Sequence, residues 1–249
     1  MKKVARKTLR KLKQHGIDYQ LVPESSTIRH LPVKTNLTLH KFSPLTLNQK
    51  LTYQYYESGS NLMLHGLAGT GKTFISMYLA LDQVLNAKDY KKVYIVRSVV
   101  PTRDIGFLPG SAKEKCKAYE LPYYAICSEL FSRGDSYEIL KTRGVIEFIT
   151  TSFIRGITLN NCVVIVDECQ NLNFHELDSV ITRVGDNCKI VFCGDFTQSD
   201  LKSSEGEGIN KFINIIKRVD NFSYVEFSED DIVRSGLVKQ YIITKDRLK

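Results

Sequence analysis

Short apolar runs recur along this chain, separated by stretches with helical spacing. The runs predict strands at Asn61–His65, Val93–Arg97, Val145–Thr150, Val163–Glu168, Lys189–Gly194 and Tyr224–Phe227. Helices are expected at about Thr46–Glu57, Lys72–Ala87, Ala112–Phe131, Phe174–Arg183 and Gly208–Arg218. The third should break at Pro122, because proline lacks the N–H that an inner helical turn uses. The strands are apolar nearly throughout. Such strands belong to a mostly parallel sheet with helices on both faces, so the fold class is α/β. Residues 17–44 differ. Pro23, Pro32 and Pro44 and the short β-like stretches Tyr19–Val22 and Leu37–Leu39 read as a loose hairpin or an extended wrap. The organisation expected is an arm and extension over 1–44 and one α/β domain over 45–249.

Charge sharpens this division. The net charge of the 249 residues is +8. Residues 1–50 carry 11 Lys and Arg against 2 Asp and Glu, and the remainder carries 24 against 25. Seven of the first 13 residues are basic, with only Val4, Leu9 and Leu12 as a weak apolar face. Such an arm is either a solvated helix or a segment that meets phosphates. No apolar run approaches the ~18 residues of a membrane-spanning helix. The start of the chain also lacks the apolar core of a secretory signal. The six cysteines form no C-x-x-C pair, and several sit in apolar runs such as Cys162-Val163-Val164. Buried, reduced thiols in a cytoplasmic protein are expected, not a disulfide framework or a zinc site.

The chemistry begins at Gly66-Leu67-Ala68-Gly69-Thr70-Gly71-Lys72-Thr73, which fits G-x-x-x-x-G-K-[ST] between an expected strand and an expected helix. Glycines let backbone N–H groups surround a phosphate, and the helix N-terminus adds partial positive charge. Lys72 is expected to reach the β- and γ-phosphates, and the Thr73 hydroxyl to ligate Mg²⁺. Val163-Val164-Ile165-Val166 then runs into Asp167 and Glu168. Asp167 is expected to hold Mg²⁺ through water. Glu168 is expected to act as general base toward the attacking water, which favours hydrolysis over kinase-type transfer. After the next strand, Gly194-Asp195-Phe196-Thr197-Gln198 offers Gln198 as a sensor of the γ-phosphate, with Asp195 to orient it or to join the metal's outer shell.

Further stretches fall in a recognisable order: Arg97-Ser98-Val99-Val100-Pro101, Gly106-Phe107-Leu108-Pro109-Gly110, Phe153-Ile154-Arg155-Gly156-Ile157-Thr158-Leu159, Val166-Asp167-Glu168-Cys169-Gln170-Asn171 and Asp231-Ile232-Val233-Arg234. With the phosphate loop they resemble the PhoH-like ATPases, relatives of superfamily-one helicases, over roughly residues 45–243. The resemblance implies a RecA-like P-loop NTPase fold with the sensor strand between the two Walker strands. It implies that Gln49 reads the adenine edge of ATP, and that Arg155 and Arg234 touch the γ-phosphate in their own or a neighbouring subunit; Arg234, late in the chain, is the better candidate for a finger given to a neighbour, and Arg155 the second. Gly106–Gly110 and the lysine-rich 113–117 resemble a loop that faces either a nucleic-acid strand or solvent. Cys169 stands where the family often has Ala, and Ser235-Gly236 where it often has His-Pro. Ile157 stands where a second Arg is common, which weakens a two-arginine site there. The compact form resembles those carried by phages, with no attached nuclease domain expected.

The function expected is therefore an Mg²⁺-dependent ATPase acting on RNA or single-stranded DNA. About 80 residues follow Glu168, too few for a second RecA-like domain, so the cleft is expected to close between subunits. The resemblance favours a hexameric ring. The alternative is an ATP-gated interaction module that partners a ribonuclease and has no helicase activity of its own.

Overall fold

The structure, a computed structural model, describes residues 37–98, 112–196 and 203–248, the side chains of 112–116 and 203–207 excepted. The described unit begins at Leu37. The basic arm, Tyr19–Val22, the stretch Gly106–Gly110 and Gln198 lie outside the described residues.

Six strands form one sheet: β1 (Asn61–Gly66), β2 (Lys92–Arg97), β3 (Ile146–Thr150), β4 (Cys162–Val166), β5 (Cys188–Gly194) and β6 (Phe222–Phe227). Their order is β3-β2-β4-β5-β1-β6, and every pairing is parallel. The near-continuous apolar runs are resolved into two faces by the period-two pleat. Leu62 and Leu64 of β1, Val163 and Ile165 of β4, and Val191 and Cys193 of β5 enter one core. Met63, Val164, Val166, Ile190 and Phe192 enter the other. The first core is covered by α1 (Leu47–Glu57), α2 (Lys72–Asp82), α3 (Ala112–Phe131) and α4 (Ser136–Thr142). The second is covered by α5 (Phe174–Ile181) and α6 (Ser203–Ile216). A last helix, α7 (Gly236–Arg247), has no buried residue. This is the expected α/β, RecA-like architecture, with β5 between β4 and the phosphate-loop strand β1. Among the described residues no helix is long and apolar enough to cross a membrane.

Several expected boundaries shift. The helix expected to break at Pro122 runs on as α3. An inner proline costs about 3 kcal/mol. Tyr123, Cys127, Leu130 and Phe131 are buried at helical spacing beyond it. Burying large side chains gains roughly 1.5–3 kcal/mol each, so packing outweighs the lost bond. Leu37–Leu39 is not a strand; its leucines pack on the first core as irregular chain. The helix from Lys72 becomes a wider π turn over Gln83–Ala87. The β4 strand stops at Val166, because Glu168 turns into the left-handed region at φ 50°. Helix α5 starts on a reciprocal cap: the Asn173 side chain accepts from the Glu176 N–H, and the Glu176 carboxylate accepts from the Asn173 N–H.

Candidate active site

The C-terminal ends of β4, β5 and β1 lie side by side, so residues just beyond them share one crevice. Three features build it: the loop from β1 to α2, the carboxylates after β4, and the turn after β5.

The loop leaves β1 at Gly66 with φ +123°, and a Cβ there would stand 2.0 Å from the Phe227 carbonyl oxygen. Only glycine meets both the backbone angle and the close approach of β6. Gly69 and Gly71 are also left-handed, at φ +76° and +85°. Gly71 then opens α2 directly at Lys72 and Thr73. The Thr70 hydroxyl is buried and donates to the Leu67 carbonyl at 3.0 Å, fixing the loop's curl. Lys72 Nζ donates to the Gly66 and Leu67 carbonyls, both at 2.8 Å, so the ammonium lies across the curl. Burial lowers its pKa; the opposing carboxylates are Asp195 foremost, then Glu168 and Asp167.

Asp167 is buried, and each carboxylate oxygen has a hydroxyl partner. Thr73 Oγ1 donates to Oδ1 at 2.7 Å, and Tyr123 donates to Oδ2 at 2.8 Å. Burial pushes the Asp167 pKa up, with Glu168 adding to it, while the two hydroxyls and Arg97 pull it back. The Glu168 carboxylate accepts from Gln170 Nε2 at 2.5 Å, and Gln170 Oε1 accepts from the Asp195 N–H at 3.0 Å. Gln170 thus bridges the turn after β4 to the turn after β5. Gly194 makes room for it, since a Cβ there would lie 2.8 Å from Gln170 Oε1. A non-glycine residue in the left-handed region carries strain, and Glu168 carries it just beyond the end of β4.

Two flanking segments hold the phosphate loop. On one side, Gln49 is 4% exposed: its Nε2 donates to the Thr70 carbonyl at 3.0 Å and its Oε1 accepts from the Leu45 N–H at 2.7 Å. Both ends of the carboxamide are engaged within the chain, so in this geometry Gln49 braces the loop. On the other side, the Val233 N–H donates to the Gly69 carbonyl at 3.1 Å. The Arg234 side chain runs over Gly69 of its own chain, its Cγ 2.9 Å from where a Cβ would be. Buried Asp231 ties the two flanks, accepting from Thr46 Oγ1 at 2.5 Å and Asn48 Nδ2 at 2.7 Å.

Lys72, Thr73, Asp167, Glu168 and Arg234 therefore converge. Arg155 does not: it is exposed in the turn after β3, the far edge strand. Four strand spacings separate β3 from β1, about 19 Å at ~4.8 Å each. Tyr123 and Gln170 were not singled out as site residues by the sequence pattern. Tyr123 carries no local signal. Gln170 has a weak one, its place two residues past Glu168. The donor set also fits the expected ligands. Glycines at 66, 69 and 71 let the loop lie close against Phe227, Arg234 and Gln49, Lys72 supplies positive charge, and a hydroxyl with a carboxylate makes a hard oxygen set suited to Mg²⁺.

Comparison with known proteins gives consistent matches. A family model described as PhoH-like protein matches residues 41–245. A PhoH-like protein of Mycobacterium leprae is 33% identical over 202 residues, covering 80% of this chain and 57% of that protein. One from Bacillus subtilis is 34% identical over 183 residues, 73% of this chain and 57% of that protein. The chain spans a little over half the length of these relatives. Among solved structures, the large terminase of a thermophilic bacteriophage superposes with a TM-score of 0.46 at 13% identity, over 80% of this chain and 50% of that one.

Proposed function

The chain belongs to the PhoH-like protein family, and on that premise we propose that it is an Mg²⁺-dependent ATPase that acts on RNA or single-stranded DNA as an oligomer. The observation that carries the reading is the meeting of Lys72, Thr73, Asp167 and Glu168 at the ends of β1 and β4. Backbone N–H groups of Gly69–Thr73 and the start of α2 bind the phosphates of ATP. Lys72 leaves the loop carbonyls for the β- and γ-phosphates. Thr73, and Asp167 through water, would hold Mg²⁺, which would neutralise charge on those phosphates. Glu168 takes the proton of the attacking water, and Gln170 keeps its carboxylate aimed there. Gln198, three residues after Asp195 in sequence, is proposed as the γ-phosphate sensor. Gln49 holds the loop from behind.

The two arginines divide between subunits. Arg234 lies on its own phosphate loop and serves its own site. Arg155, exposed in the turn after the edge strand β3, serves the site of a neighbour in a ring, for which the hexamer favoured by the family resemblance is the natural form. Mixing Arg155→Ala subunits with Glu168→Gln subunits, each inactive alone, is therefore expected to restore part of the ATPase rate. The same mixture made with Arg234→Ala in place of Arg155→Ala is expected to restore none. Recovery with Arg234→Ala but not Arg155→Ala would reverse the assignment.

Nucleic acid is tested through the arm. Deleting residues 1–16 removes seven positive charges. If the arm neutralises phosphates, the slope of log affinity against log salt for a single strand flattens by up to ~5. RNA or single-stranded DNA should also raise phosphate release by the intact chain, while the basal rate survives the deletion. An unchanged salt slope makes the arm a solvated appendage. Turnover indifferent to both nucleic acids favours an ATP-gated module that partners another protein, such as a ribonuclease.

A further inference from the structure

The phosphate loop and the carboxylates after β4 account for one oxygen of Asp167. The other is held from a different part of the fold. Tyr123 lies on α3, 44 residues before Asp167, and its hydroxyl donates to Oδ2 at 2.8 Å in a buried setting. Its ring packs against Phe148 of β3, with centroids 5.9 Å apart. The Arg97 charge, at the end of β2, faces the Tyr123 oxygen, Asp167 and Glu168. The Arg97 guanidinium also lies 5.8 Å from the ring centroid of Tyr119, one turn earlier on α3. The Tyr123 hydroxyl therefore ties α3 to the Asp167 carboxylate, with the Arg97 charge beside both.

We propose that Tyr123 is a positioning residue that sets the Asp167 carboxylate for the divalent cation. The inference rests on the ATPase reading above. A carboxylate at a strand end rotates freely about its last bond. With Oδ1 shared with Thr73 alone, it would swing between bringing one oxygen or the other to the cation. The Tyr123 hydroxyl fixes Oδ2, so Oδ1 stays beside the Thr73 hydroxyl. The Thr73 hydroxyl and the Asp167 oxygen that would hold Mg²⁺, the latter through water, are thereby pre-arranged rather than gathered when the cation arrives. Outer partners of this kind change metal affinity by about 10–100-fold when removed. Neither the phosphate loop nor the acidic pair gives any sign of this in sequence, because the tyrosine comes from a helix on one face of the sheet.

The test uses the full chain carrying Glu168→Gln, so that bound nucleotide is not hydrolysed. Binding of a fluorescent ATP analogue is titrated with Mg²⁺, and repeated in EDTA. Tyr123→Phe keeps the ring and its packing and removes only the hydroxyl. It is expected to raise the Mg²⁺ half-saturation about 10–100-fold, with binding in EDTA and the melting temperature close to the parent's. An Mg²⁺ half-saturation unmoved in folded Tyr123→Phe would overturn the proposal. So would equal weakening with Mg²⁺ and in EDTA, which marks a merely structural hydroxyl. A Lys72→Ala chain that binds the analogue as tightly as the parent would instead bring down the ATPase reading itself.

Discussion

Glu168→Gln is expected to bind ATP with Mg²⁺ as the wild type does and to hydrolyse it at least ~100-fold more slowly, the scale of losing a general base. The geometry separates this residue from its neighbour. Asp167 is buried with both oxygens bonded to hydroxyls, a carboxylate fixed in place. Glu168 has turned out of the strand and keeps one oxygen beyond its bond from Gln170. An amide is nearly the same size, and its oxygen can still accept from Gln170. It cannot take a proton from water. Phosphate release and equilibrium binding of an ATP analogue, measured on the same preparation, check the outcome. Equal loss of binding and turnover would move Glu168 from the reaction to the metal or the fold.

How much of this was legible in the sequence depended on whether the cause was local. The phosphate loop was, because its glycines answer to a requirement set within eight residues. Even there, the need for glycine at Gly66 is only half local. Its positive φ belongs to the loop, but the bar to a Cβ comes from the Phe227 carbonyl on β6, far along the chain. The sheet was legible because strands buried on both faces must be apolar throughout. Strand order was not in the residues; the family resemblance supplied the place of β5. Pro122 misled because propensity is local and the burial that outweighs it is not. Helix α4 spans only Ser136–Thr142, too short for a helical period to show. Helix α7 buries none of its residues, so no core-facing stripe marks it. Tyr123 is the clearest case. What it does depends on a partner in another element, Asp167.

Lys72→Ala is expected to remove ATP turnover, by ~10²–10³-fold or more if its ammonium acts as one preorganised donor to charge developing on the transferred phosphoryl. The loss is not one of folding. Lys72 is half-buried and bonds to loop carbonyls, while the loop's curl is kept by Thr70, Gln49 and the Val233 N–H. Melting temperature should therefore change little. Burial lowers the Lys72 pKa, yet Asp195, Glu168 and Asp167 face it and favour its charged form. Alanine removes that charge from the point where two phosphates must be held against nearby carboxylates. The carboxylates then repel the nucleotide, so binding should weaken along with catalysis. This distinguishes Lys72 from Glu168, whose loss spares binding. The most direct measurement is phosphate release from ATP with Mg²⁺ by the wild-type and Lys72→Ala chains, both folded and both given single-stranded nucleic acid. Sustained multiple turnover by the wild type, falling to background in Lys72→Ala, is the predicted result. Near-equal release by the two chains, or no release by a wild type that binds ATP, would contradict it.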